Sequence, residues 1–172
     1  HSVGVKRQYC GQLGKRANCQ AGVFVGYGSG QGYTLLDRRL YVPGEWLIDD
    51  AYGERRQQCG LPPDLAFKTK PVLAREMLAA VVESQALRCR WVVADEAFGG
   101  NPEFLDGVAQ LGLWYFAEVP HSTRVWPQRP ATHLPPWRGR GPRPQRQRLV
   151  PGAPEARTML EMAVALPEEA WT

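Results

Sequence analysis

Long apolar runs are absent from this 172-residue sequence. No stretch approaches the roughly 20 apolar residues that a membrane-spanning helix needs, and no apolar run near the start has the form of a secretion signal. We therefore expect a soluble, cytoplasmic protein that makes no membrane contact. The chain starts at His1 rather than methionine and stops at Thr172 without a closing element, so we expect both ends to lie inside a longer protein.

Cysteine is scarce, and its spacing argues against a zinc site. The four cysteines are separated by 9, 40 and 30 positions (Cys10, Cys19, Cys59 and Cys89). Zinc sites usually contain pairs of ligands about two to four residues apart. Thiols in a cytoplasmic protein stay reduced. The sequence therefore predicts neither a bound zinc ion nor a disulfide.

Acidic residues are missing from one long stretch. Val119–Pro154 contains no Asp or Glu and seven arginines, whereas the whole chain carries +4, so the remainder carries −3. A basic tract beside a mildly acidic body suggests contact with a polyanion, most often nucleic acid. A solvated linker that is arginine-rich because its gene is GC-rich explains the tract equally well.

The first half of the chain predicts a β-hairpin. Residues 21–27 and 33–42 are rich in strand-forming side chains, and the glycines of residues 28–32 between them are typical of a turn. A phosphate-binding glycine loop would lead directly into a helix, whereas a second strand follows here. Residues 45–63 have mixed charge and are predicted to be irregular.

The next segment predicts a helix followed by a βαβ unit. Helical spacing of apolar residues extends from Pro71 to about Ala86. Arg90–Asp95 is a short apolar run typical of a buried central strand, and a helix from Pro102 to about Leu111 separates it from a strand at Leu113–Val119. Such a unit requires parallel strands and a right-handed crossover. Together with the hairpin, it predicts a mixed α/β sheet.

The rest of the chain is predicted to be a surface loop, then a further strand or the start of a subdomain. Nine prolines between Pro120 and Pro154 argue against regular structure. Residues 158–166 are more apolar again.

Asp95 is the strongest candidate for a functional residue. It ends the predicted central strand, and sites in open α/β sheets gather at the carboxyl ends of strands. Gly99 and Gly100 would let a ligand approach a carboxylate that suits a divalent cation. An aspartate here is equally typical of a helix N-cap, and both interpretations stay open. Glu96 would point elsewhere on extended backbone and is not counted as a second ligand.

The sequence around Asp95 resembles a known signature. Asp95, Ala97 and Phe98 fit the pattern around the second catalytic aspartate of insertion-sequence transposases in the IS4-like group of the DDE superfamily: Asp, any residue, Gly or Ala, then Phe or Tyr. Four other segments resemble the same family in the same order: residues 1–20, 36–46, 67–71 and 119–126. The aspartate motif is weak by itself, but five ordered segments are specific.

This resemblance implies a ribonuclease H-like fold and a triad of Asp, Asp and Glu that binds two Mg²⁺ ions, for which Mn²⁺ can substitute. Two such metals clamp a scissile phosphate; water cleaves the transposon end, and the freed 3′-hydroxyl attacks target DNA. Asp95 alone maps onto the triad. The first aspartate is expected before His1 and the glutamate beyond Thr172, so the fragment alone is expected to be inactive. The full-length protein is a possible homodimer.

The resemblance also divides the chain. Residues 1–126 are expected to form a partial ribonuclease H-like catalytic domain, residues 127–154 a Pro/Arg-rich loop or linker, and residues 155–172 the start of an inserted or C-terminal segment.

The candidate DNA-binding residues follow the last predicted strand. They are Arg124, Trp126, Arg138, Arg140, Arg143, Arg146 and Arg148. Arginine contacts phosphates, and tryptophan can stack on an unpaired base. Packing against the edge of the core is an alternative role for Trp126.

Two other functions compete with an active transposase. One is a non-catalytic DNA-binding remnant of a transposase pseudogene. The other is a small-molecule hydrolase with Asp95 as its base, which no nearby histidine or second carboxylate supports.

Overall fold

The computed structural model describes residues 2–171, which form two compact units at residues 2–117 and 118–171. The expected segments begin at His1 and end at Thr172, two residues that lie outside the described ones. The second unit includes residues 119–126, which the resemblance assigns to the catalytic domain. The division into three segments stays a prediction.

Two antiparallel hairpins begin the first unit. Strands β1 (Lys6–Cys10) and β2 (Lys15–Cys19) pair with each other. Strands β3 (Ala21–Ser29) and β4 (Gly32–Tyr41) form the hairpin predicted from the sequence, which is confirmed. The β1–β2 pair is not predicted from the sequence, because its strands carry few strongly apolar side chains.

Residues 45–63 are not irregular throughout, so that prediction is wrong. They contain most of α1 (Gly44–Ile48) and all of α2 (Gly53–Gln58). The side chain of Trp46 is 1% exposed, and its indole N–H donates a hydrogen bond to the carbonyl of Val5 at 3.0 Å. A single buried tryptophan anchors these short helices, which have no apolar stripe that a periodicity argument could detect.

The helix and the βαβ unit predicted for residues 71–119 are confirmed. They comprise α3 (Lys70–Ser84), β5 (Trp91–Ala94), the short α4 (Glu96–Gly99), α5 (Pro102–Gln110) and β6 (Trp114–Ala117). Strands β5 and β6 are parallel, with Ala94 opposite Ala117. The carboxyl end of β5 therefore leads directly to Asp95.

The two halves of the expected mixed sheet are not hydrogen-bonded to each other among the described residues. β3 pairs with β4, and β5 pairs with β6. The expectation that β5 is buried on both faces is wrong, because Trp91 is 57% and Val93 77% exposed. A strand is buried on both faces only where other elements cover both.

The core of the first unit lies between β3, α3 and α5. Its buried side chains are Val23, Val25, Leu73, Ala74, Met77, Phe104 and Val108. Val92 and Ala94 of β5 pack against this cluster from one side, which fixes the strand that leads to Asp95.

We expect Met77→Ala to lower the free energy of unfolding by about 2–5 kcal/mol, because it removes a long side chain from a close-packed core. Met77 is 0% exposed. Val93→Thr is the matched control, since Val93 is largely exposed and threonine keeps the β-branched shape; its effect should stay within about 0.5 kcal/mol. Chemical denaturation measures both, and equal effects would contradict the position of the core.

The second unit consists of two nested antiparallel pairs and a short helix. β7 (Arg124–Val125) pairs with β10 (Arg157–Thr158), and between them β8 (Thr132–His133) pairs with β9 (Arg148–Leu149). Helix α6 (Met159–Val164) follows. The Pro-rich stretch is therefore largely irregular, as predicted, apart from these two-residue strands. Across both units, no helix in residues 2–171 has the length and apolarity to cross a membrane.

Candidate functional site

Asp95 lies exposed at the carboxyl end of β5 and caps α4. Its Oδ1 accepts a hydrogen bond from the backbone N–H of Ala97 at 3.0 Å. Its Oδ2 makes no hydrogen bond to a residue in the described part of the chain. The capping role considered from the sequence is thus confirmed, and it occupies one of the two carboxylate oxygens. The other remains available to a ligand.

A cleft of about 740 Å³ lies between β3 and β5, with Asp95 among the residues that line it. One wall is formed by Phe24–Gly28 of β3 and the other by Trp91–Ala94 of β5. In the described residues these two strands each have one strand partner, so each also has an unpaired edge. Asp95 is the one carboxylate among the residues that line the cleft.

The described residues do not form a two-metal site. Residues 2–171 contain no group of three His, Cys, Asp or Glu side chains placed to hold a metal ion. A divalent cation such as Mg²⁺ takes about six oxygen ligands, several of which can be water molecules. A catalytic pair of such ions also needs carboxylates that both ions share. Asp95 alone does not meet that requirement.

Arg124 and Trp126 hold the second unit together. The guanidinium of Arg124 donates a hydrogen bond to the carbonyl of Ala156 at 2.9 Å, and the indole N–H of Trp126 donates one to the carbonyl of Pro154 at 3.0 Å. Both contacts fasten the start of the Pro-rich stretch to its end. This gives Trp126 a structural hydrogen bond within the second unit, and DNA contact by either residue stays a prediction.

The other candidate arginines occupy or border the loop between β8 and β9, and all are exposed. Arg143 lies over the ring of Trp137, 5.3 Å from its centroid, and the indole of Trp137 donates a hydrogen bond to Gly141 at 3.0 Å. The remaining four have no side-chain hydrogen bond or ion pair within residues 2–171: Arg138, Arg140, Arg146 and Arg148. Their guanidinium groups are therefore available to anions.

Glu161 has a structural role in the second unit. Its side chain accepts a hydrogen bond from the backbone N–H of Thr158 at 2.7 Å, and the Thr158 hydroxyl accepts one from the backbone N–H of Glu161. The Thr158 backbone N–H is the main reason that the pKa of Glu161 is lowered. This reciprocal pair is a capping box that fixes the start of α6.

The charge analysis of the sequence does not single out residues 1–36, although they also contain no Asp or Glu. The structure places two of their basic residues, Arg7 and Arg16, on one exposed face of the β1–β2 pair. Their proximity depends on strand register, and the absence of acids was the signal that could have drawn attention to them.

The comparison with known families gives one result. A family model described as DDE superfamily endonuclease matches residues 1–172. No curated protein and no solved structure matches the chain. The family match runs over the whole length, including the strand that ends at Asp95. The chain therefore belongs to the DDE superfamily endonucleases.

Proposed function

We propose that this chain is part of a DDE transposase of the IS4-like, insertion-sequence type, which cleaves transposon ends and joins the 3′-hydroxyl to target DNA. The observation that carries the proposal is the family match over residues 1–172 together with the position of Asp95. This aspartate follows a parallel strand, lines a cleft and keeps one carboxylate oxygen without a partner among the described residues.

The proposed fold is a ribonuclease H-like domain in which one more strand lies between β3 and β5. The cleft lies between two strands that each have an edge without a strand partner among the described residues. Its walls, Phe24–Gly28 and Trp91–Ala94, have a similar length.

Asp95 is proposed as one ligand of a site for two Mg²⁺ ions, with Mn²⁺ able to replace them. The other two carboxylates of the triad would come from outside residues 2–171, because the described residues provide no suitable cluster. Within this chain, the Ala97 N–H orients the carboxylate through Oδ1 and leaves Oδ2 for a cation. A homodimer of the full-length protein is part of the same proposal.

A DNA cleavage assay tests this proposal. A full-length protein that contains residues 1–172 should nick a labelled transposon end in Mg²⁺ or Mn²⁺ and lose this activity in a chelator. The 172-residue chain alone should give no specific nicking, because it supplies one of three carboxylates. Specific nicking by this chain would overturn the assignment of the missing ligands, and no activity from a folded full-length protein would overturn the proposed enzyme.

The alternative is a DNA-binding remnant of a transposase pseudogene without catalysis. The lack of a metal-binding cluster in residues 2–171 is expected under both proposals, and the unpartnered arginines of the second unit fit either one. The genomic DNA on both sides of the coding segment discriminates between them. An open frame that encodes an aspartate-bearing strand upstream and a glutamate-bearing helix downstream supports the enzyme, whereas stop codons on both sides support the remnant.

A further inference from the structure

The exposed face of the β1–β2 pair gathers two arginines around a tyrosine. In the antiparallel register, Tyr9 lies opposite Arg16 and Arg7 lies opposite Asn18. Alternate strand residues share a face, so these four side chains project from the same side. All four are exposed, and Tyr9 is 64% exposed. We call this set the ribbon face.

The ribbon face carries unneutralised positive charge. Arg7 and Arg16 are diagonal neighbours across the two strands, which places their Cα atoms about 7–8 Å apart. Neither has a hydrogen bond or an ion pair from its side chain within the described part of the chain. An anion that bridges the two guanidinium groups would relieve their mutual repulsion.

Three other basic residues of the first unit have acidic partners. Lys6 pairs with Glu45, Arg39 with Asp37 and Lys68 with Glu76. Lys6 belongs to the opposite face of the same ribbon, where Gln8 and Cys10 are half-buried. Both arginines of the outer face are therefore exposed and without an ion pair among the described residues, whereas on the inner face Lys6 is paired with Glu45 and Lys15 is exposed.

We propose that the ribbon face is a second DNA contact surface, in which Arg7 and Arg16 bind phosphates of duplex DNA and Tyr9 contacts the same backbone through its hydroxyl. This inference rests on the proposed function for the identity of the anion. A major groove about 12 Å wide admits a two-stranded ribbon. Arginine and tyrosine are common phosphate-contacting side chains, and such contacts are independent of sequence.

The test measures the salt dependence of binding to a short labelled duplex by fluorescence anisotropy. The double variant Arg7→Gln/Arg16→Gln should reduce the slope of log K against log salt by about 1.8, because each lost phosphate contact removes about 0.9. At about 0.1 M salt the affinity should fall by roughly 60-fold on the same relation. Both side chains are exposed, so the thermal unfolding curve should not change.

Two further variants complete the test. The control Arg39→Gln/Lys68→Gln changes the net charge equally but removes cations that are ion-paired with acids in the structure, and it should keep the wild-type slope. Tyr9→Phe should lower the affinity several-fold with an unchanged slope, since it removes a hydroxyl and no charge.

The possible outcomes separate the two proposals. Suppose that the wild-type chain binds duplex DNA and that the arginine double variant has the same slope of log K against log salt as the wild type. The ribbon face is then not a contact surface, and the proposed transposase function stands. An equal loss of slope in the control, or stronger binding to single-stranded DNA than to duplex, would also overturn the ribbon proposal. If the folded wild-type chain binds no DNA, both the ribbon proposal and the proposed DNA binding by this part of the protein are wrong.

Discussion

Replacing Asp95 by asparagine in a full-length protein that contains residues 1–172 should lower the rate of metal-dependent DNA cleavage by about 100-fold or more. Asparagine keeps the oxygen that accepts the hydrogen bond from Ala97 and is as good an N-cap as aspartate. The substitution therefore removes the negative charge but retains the cap. Nicking of a labelled transposon end, measured beside a thermal unfolding curve, gives both effects.

Two comparisons separate a metal ligand from a helix cap. Asp95→Ala should cost about 0.5–2 kcal/mol of stability as well as activity, because it removes the cap. Glu96→Gln alters the neighbouring exposed carboxylate and should leave cleavage near the wild-type rate. If Asp95→Asn cleaves DNA normally while Asp95→Ala is destabilised, Asp95 is a cap and the proposed ligand role is wrong.

Replacing the four unpartnered arginines of the second unit by glutamine should produce the largest loss of DNA affinity. These residues are Arg138, Arg140, Arg146 and Arg148. Four lost phosphate contacts would reduce the salt slope by about 3.6 and the affinity at about 0.1 M salt by roughly 4,000-fold. Titration of a labelled duplex between about 50 and 200 mM salt measures the slope.

A matched variant with lysine at the same four positions tests the cause. It keeps every charge, so the slope should stay near that of the wild type. An unchanged slope in the glutamine variant would instead support the interpretation of this tract as a solvated linker. The ribbon-face arginines remain in both variants, so residual binding by the glutamine variant reports on that surface separately.

The local elements could be predicted because their sequence patterns are local. The β3–β4 hairpin has strand formers on both sides of glycines, and α3 and α5 each have a proline in their first turn, Pro71 and Pro102. Burial could not be predicted in the same way. The apolar run of β5 indicates a strand but not what covers it, and Val93 is 77% exposed among the described residues.

The candidate site shows the same limit. Asp95 is found from its position after an apolar strand, which is a local signal. The cleft beside it depends on two strands, β3 and β5, that are more than sixty positions apart in the chain. The ribbon face depends on the register of β1 and β2. Long-range contacts of this kind are set by packing, so a pattern read along one sequence does not contain them.

The nested strand pairs of the second unit have a consequence for its arginine loop. β7 and β10 close an outer loop, and β8 and β9 close an inner one that carries four of the eight exposed arginines of the second unit. The entropy of closing a flexible loop rises slowly with its length, by about 0.6 kcal/mol for each doubling. The inner loop can therefore gain or lose residues at small thermodynamic cost while the outer pair stays closed, and its charge can change independently of the framework.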